Sequence, residues 1–123
     1  MLRILFIFTI SLFSLWAKDV KLGTTPALSP DATMMTFSWL GDLWQVPTEG
    51  GQARRLTNHP AEDYRPFYSK DGKSLLFSSH RRGQFHSYIM PVNGGMPVAR
   101  TEHTVGSTPV GFWPTDNKDI ISR

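Results

Sequence analysis

Four histidines, His59, His80, His86 and His103, are the side chains on which metal or acid–base chemistry could rest. A zinc peptidase needs two of them at i, i+4 on one helix face, and none of the four has that spacing. His80 and His86 bracket a polar stretch that reads as a solvated loop, so surface roles are expected for the histidines. Serines and aspartates are plentiful enough to assemble a Ser-His-Asp set on paper. Such triads are defined by geometry and not by order, and no G-x-S-x-G elbow singles out a nucleophile. Gly50-Gly51 and Gly94-Gly95 lack the lysine and following helix of a phosphate loop. The chain has no cysteine, which removes disulfides, thiolate metal sites and thiol nucleophiles together. Asp31, Asp71 and Asp116 recur one per segment, a pattern that fits turn stabilisation better than calcium binding. No catalytic, cofactor-binding or metal-ligating residue is therefore expected in this chain.

Charge narrows the field further. Of 13 basic side chains, Arg3 lies in an apolar leader, and 10 acidic ones oppose the rest. That balance is too mild for a nucleic-acid partner. Arg54-Arg55 and Arg81-Arg82 are isolated pairs, expected as solvated surface. The aromatics Trp39, Trp44, Phe67, Tyr68, Phe112 and Trp113 could be ligand platforms, but core packing accounts for them better, each stabilising by about 1.5–3 kcal/mol on leaving water.

The elements that carry these residues repeat. Ser29-Pro30-Asp31-Ala32 is echoed forty residues on by Ser69-Lys70-Asp71-Gly72, and Phe37-Ser38 by Phe77-Ser78. Trp44-Gln45-Val46-Pro47 then matches Tyr88-Ile89-Met90-Pro91 at an offset of forty-four, because Leu40-Gly41 is lengthened to His80-Arg81-Arg82-Gly83-Gln84-Phe85. Gly50-Gly51 matches Gly94-Gly95, and a third copy opens at Thr108. Each copy divides into four short strands; in the second they span about Arg65 to Tyr68, Ser74 to Ser79, Ser87 to Val92 and Val98 to Thr101. Asp71-Gly72 supplies a hairpin, since glycine tolerates the positive φ of a tight turn. Prolines 26, 47, 66, 91 and 109 fall at strand starts and ends, where a missing N–H breaks no ladder. Leu75-Leu76-Phe77 and Tyr88-Ile89-Met90 are continuous apolar runs, the mark of strands buried on both faces. A four-stranded sheet covered on both faces and recurring at this period is a propeller blade. The expected fold is all-β: about two four-stranded antiparallel blades, 25–57 and 65–101, and the start of a third, 108–123.

What precedes the repeats reads as an export signal. Arg3 gives a positive start, Ile4 to Trp16 form an apolar run without a charge, and Ala17 precedes Lys18 and Asp19. Thirteen apolar residues fall short of the roughly 20 that span a bilayer core. Residues 1–17 are expected to be a signal peptide and 18–24 a short lead-in, with no membrane span after cleavage. A periplasmic or extracellular location in a bacterium follows.

The pattern Ser29-Pro30-Asp31, Phe37-Ser38, Leu43-Trp44-Gln45-Val46-Pro47, Gly50-Gly51 and Arg54-Arg55-Leu56-Thr57 resembles the WD-like repeats of TolB and tricorn-protease propellers. Gly41-Asp42-Leu43-Trp44 with Pro47 and Gly50-Gly51 is especially similar to exported tricorn-type peptidases. Ala32 departs from the pattern in place of a turn glycine and Lys70 in place of a proline; the third copy diverges most. The resemblance implies a non-catalytic propeller that gates or binds polypeptide for the PDZ-like and serine-peptidase parts of a longer protein. A TolB-like protein-binding propeller, or the propeller of another exported hydrolase, is the alternative.

Overall fold

The computed structural model describes residues 24–101, 105–113 and 118–122. The leader 1–17, the lead-in as far as residue 23, His103 and the Asp116-Asn117 turn lie outside these residues. Ten strands and no helix make up the described chain. The first sheet runs β1 (Thr24–Leu28), β2 (Met34–Trp39), β3 (Asp42–Pro47) and β4 (Arg54–Arg55), in that spatial order and antiparallel throughout. The second repeats it as β5 (Asp63–Tyr68), β6 (Ser74–Ser79), β7 (His86–Pro91) and β8 (Val98–Ala99). A third begins with β9 (Thr108–Phe112) and β10 (Asp119–Ser122). These are two propeller blades and the opening hairpin of a third.

Turn chemistry sets the strands. Ala32 and Gly72 hold φ of +58° and +71° in the two Asp-marked hairpins. Leu40 and Gly41 hold +50° and +83° in the two-residue β2–β3 loop, the sign a type I′ hairpin requires at both positions. Each first strand also carries a bulge. Thr25-Pro26 in β1 and Arg65-Pro66 in β5 are passed over by the register with β2 and β6. Thr25 and Arg65 adopt φ of +59° and +54° there, and the Arg65 N–H donates to Thr25 Oγ1 at 3.1 Å. Pro26 and Pro66 thus sit inside strands and not at their ends; the bulge, where the ladder is already broken, is what admits a residue with no N–H.

Contact between sheets runs through the first strands: β5 packs on β1, β2 and β3 on one side and on β9 on the other. Leu75, Phe77, Tyr88 and Met90 alternate along β6 and β7 on one face and pack with Leu43 of β3, all at most 4% exposed. Leu76, Ser78 and Ser87, on the opposite face, are fully buried too. Burial on both faces is why these strands are continuously apolar.

The aromatics depart from the core expectation. None of Trp44, Phe67, Tyr68 or Phe112 is fully buried, while Trp39 and Trp113 are 37% and 54% exposed. The buried aromatics are instead Phe37, Phe77 and Tyr88, the last two with rings stacked at 6.0 Å.

Candidate functional site

Each blade has two ends with different chemistry. At one end stand the Asp-marked hairpins. Asp31 Oδ1 accepts from Ser29 Oγ (2.7 Å), Thr33 N (3.1 Å) and Thr33 Oγ1 (2.8 Å), while Ser29 Oγ accepts from Met34 N (3.0 Å). Asp71 Oδ1 repeats this with Ser69 Oγ (2.6 Å) and Lys73 N (3.0 Å), and Ser69 Oγ with Ser74 N (3.0 Å). These bonds favour the charged form. The Ser29 hydroxyl, then the Thr33 N–H and hydroxyl, bring Asp31 down from 3.8 to about 2. The Ser69 hydroxyl and the Lys73 N–H lower Asp71. Both aspartates are turn-builders, as their recurrence suggested.

Between these two hairpins lies a groove of 540 Å³ that reaches from Pro30 to Asn93. Its floor is a hydrogen-bonded chain across the blade boundary. Tyr68 OH meets Thr36 Oγ1 at 2.6 Å and accepts from Gln45 Nε2 at 3.1 Å, and Gln45 Oε1 accepts from Arg54 Nη2 at 3.1 Å. Gln45 is only 6% exposed, so this chain fixes the two blades against each other as well as lining the groove.

The opposite end carries the β2–β3 hairpin tip and the connection between blades. A hollow of 740 Å³ there is lined by Trp39, Leu40, His59, Glu62 and Tyr64, among others. Asp63 anchors it. Its N–H donates to Gly41 O (2.8 Å) and its carbonyl accepts from Ser38 Oγ (2.6 Å). Its carboxylate, with no exposed surface, pairs with Arg81 at 2.7 Å.

Arg81 corrects the reading of its pair as solvated surface, while Arg55, 44% exposed at its side chain, keeps to it. Arg81 is 15% exposed at its side chain and also lies 5.5 Å from the Tyr88 ring centre. Arg55 holds Asp42, itself 5% exposed, through Nε and Nη2. A charge taken from water requires a partner: the buried Asp63 has Arg81 and the buried Asp42 has Arg55, each distant in the sequence. The histidines divide likewise. His86, expected in a solvated loop, begins β7 at 6% exposure, with Nδ1 3.4 Å from Thr101 Oγ1. His80 packs on Phe85 at 4.8 Å. His59 is exposed, its Nδ1 accepting from Ala61 N at 3.0 Å. Among the described residues no group of three or more His, Cys, Asp or Glu is placed to hold a metal ion.

Comparison with known proteins agrees with this architecture. Residues 21–123 match the family model of the tricorn protease N-terminal β-propeller domain. Tricorn protease homolog 1 of Streptomyces coelicolor is 32% identical over 91 residues, 72% of this chain and 8% of that protein. The uncharacterized peptidase YuxL of Bacillus subtilis is 39% identical over 66 residues, 50% of this chain and 10% of its own length. Among solved structures, a protein assigned as TolB from Agrobacterium tumefaciens superposes with a TM-score of 0.67 at 25% identity, over 76% of this chain and 36% of that one. TolB of Acinetobacter baumannii gives 0.62 at 25% identity, over 76% and 24%. The chain thus spans a small part of each relative's length. With its repeated blades, Asp-marked hairpins and bulged first strands, the chain belongs to the family of tricorn protease N-terminal β-propeller domains.

Proposed function

We propose that this chain is the non-catalytic propeller of an exported tricorn-like serine peptidase, binding or gating polypeptide for catalytic domains carried elsewhere in the protein. The observation that supports it most is the family match over residues 21–123. The relatives named tricorn protease homolog 1 and peptidase YuxL lean the same way. Two open concavities at the blade ends offer the kind of surface a polypeptide could use.

The test is length selectivity in the full-length protein. Removing the propeller should leave hydrolysis of a short chromogenic peptide while changing the ratio of its kcat/KM to that of a twenty-residue peptide. An unchanged ratio refutes the gating role. Export is checked separately, by amino-terminal sequencing of the mature protein, which should begin at Lys18. A second reading, a TolB-like protein-binding propeller, is favoured by the superposition on TolB structures. It predicts a stoichiometric complex with another envelope protein and no peptide hydrolysis by the full-length protein.

A further inference from the structure

We propose that Asn93 is a site of spontaneous covalent modification: it deamidates through a cyclic imide and so places a new carboxylate against Arg54 at the rim of the groove between the two Asp-marked hairpins. The inference stands on turn chemistry and is independent of the function proposed above. Asn93-Gly94-Gly95 lies in the connection between β7 and β8. Asn93 is exposed, and its side-chain amide forms no hydrogen bond with the described residues. Nothing comes within 4 Å of the place a Cβ would take on Gly94, so the approach to its nitrogen is uncrowded. The Gly94 N–H donates to Pro91 O at 3.1 Å, and ring closure requires that turn to open. Gly94 and Gly95 hold φ of +100° and +142°. Two glycines in succession make local opening easy, since neither has a Cβ to restrict the backbone.

The chemistry needs water alone. The Gly94 nitrogen attacks Asn93 Cγ and loses its proton as the N–Cγ bond forms; the Cγ–Nδ2 bond breaks and ammonia leaves. Water then opens the imide at one of its two carbonyls. Attack at Cγ breaks the new N–Cγ bond and gives aspartate. Attack at the former main-chain carbonyl carbon breaks its bond to the Gly94 nitrogen and gives isoaspartate, whose main chain runs through Cβ and Cγ. No atom is oxidised or reduced, and either product carries one more negative charge than asparagine.

Position decides the consequence. Arg54 Nη1 reaches across the blade boundary to Asn93 O at 3.4 Å, while its Nη2 donates to Gln45 Oε1. In the isoaspartyl product the carbon of that carbonyl becomes the free carboxylate, so the oxygen already facing Arg54 becomes half of an anion. A long bond to a neutral acceptor is exchanged for an ion pair between blades. The first copy carries a carboxylate at the equivalent position in its sequence, Glu49 before Gly50-Gly51. Asn58 supplies the contrast. It is exposed too, but His59 follows it, with a Cβ at the attacking residue and an N–H directed at Asp42 Oδ1.

The experiment incubates the full chain in mildly alkaline buffer made with heavy-oxygen water, digests it with trypsin in ordinary water and reads the peptides by mass spectrometry. Peptide 83–100, whose one asparagine is Asn93, should yield two new chromatographic peaks of equal mass, isoaspartyl and aspartyl, each carrying one heavy oxygen. Peptide 56–70, which holds Asn58, should stay unchanged over the same period. Asn93→Gln, an exposed turn substitution, should keep the wild-type circular dichroism and lose the conversion. An unmodified peptide 83–100 overturns the proposal. Conversion of Asn58 at the same rate also overturns it, because exposure and not the turn would then be the cause. The pairing with Arg54 is read with phenylglyoxal, which attacks accessible guanidinium groups. Converted protein, isolated by anion exchange, should lose reactivity at Arg54, and equal reactivity in the two fractions overturns the pairing.

Discussion

The two Asp-marked hairpins share one hydrogen-bond scheme and differ at the residue that bears the left-handed conformation. Ala32 sits at φ +58° and Gly72 at +71°. An L-residue in that region gives up roughly 1–2 kcal/mol. Against this, glycine frees the unfolded chain, which costs about 0.4–1 kcal/mol of stability. The difference favours glycine by roughly 0.5–1 kcal/mol at both turns. Space does not enter: a Cβ at Gly72 would meet Pro30 Cδ at 3.5 Å, an ordinary contact. Ala32→Gly should therefore stabilise, Gly72→Ala should destabilise by a similar amount, and the double exchange should return near the wild type. The assay is urea unfolding of the full chain, with the slope unchanged in all three variants so that the midpoint alone reports the effect. Pro30 touches the second turn, and the cycle should depart from additivity by no more than about a few tenths of a kcal/mol. A neutral or stabilising Gly72→Ala, or a destabilising Ala32→Gly, would refute the equivalence of the turns.

Other expectations follow from the same hydrogen-bond inventory. Arg81→Met strands the buried Asp63 carboxylate and should lose about 3–5 kcal/mol in urea unfolding, while Asp63→Leu with Arg81→Met should recover most of it. Thr57→Val removes the hydroxyl that accepts from Leu43 N at 2.9 Å and should lose about 1–3 kcal/mol, as should Thr101→Val at the equivalent bond to Ser87 N. Acid titration tests the aspartates. Their folded values lie below the unfolded 3.8, so their contribution is whole above that pH and is lost as pH falls through about 2 for Asp31. Asp31→Asn with Asp71→Asn should flatten the acid limb of the stability profile, and an unaltered limb would exclude these turns as its cause.

Features governed by neighbouring residues were legible in the sequence. Ser29, Asp31 and Thr33 build their turn within five positions of one another, so the motif alone predicts the hairpin. The two-residue Leu40-Gly41 loop and its six-residue counterpart at 80–85 emerge from the change of offset between the copies. Features governed by distant partners were hidden. Nothing local says that Arg81 will turn inward, because Asp63 lies eighteen residues earlier and is delivered by the β5–β6 register. His86 is buried because it faces Thr101 and not because of its own loop. Trp39 illustrates the reverse error. Its type suggests core, yet its position at the hairpin tip leaves it half in water.

How the joints are built explains where the blades are free to differ. The first blade is closed by Leu56 N to Leu43 O and joined to the next by Asp63 N to Gly41 O; the second is closed by Arg100 N to Ser87 O and joined by Ser107 N to Phe85 O. All four bonds are between main-chain atoms, at 2.7 or 2.8 Å. One threonine hydroxyl, on Thr57 or Thr101, completes each closure. Main-chain bonds place little demand on side-chain type, so the Asp42–Arg55 pair of the first blade can give way to His86 and Ala99 in the second. The Asp-marked end is pinned in both copies by the same serine and aspartate, which leaves it little room to vary. The other end shares its main-chain bonds and a threonine hydroxyl but not its remaining side-chain ties, and there the copies part: one tip is a strained, exposed Leu40, the other a longer loop whose Arg81 reaches back to neutralise the joint. A surface that can change without loosening the blade is where recognition can be placed at least expense to the fold.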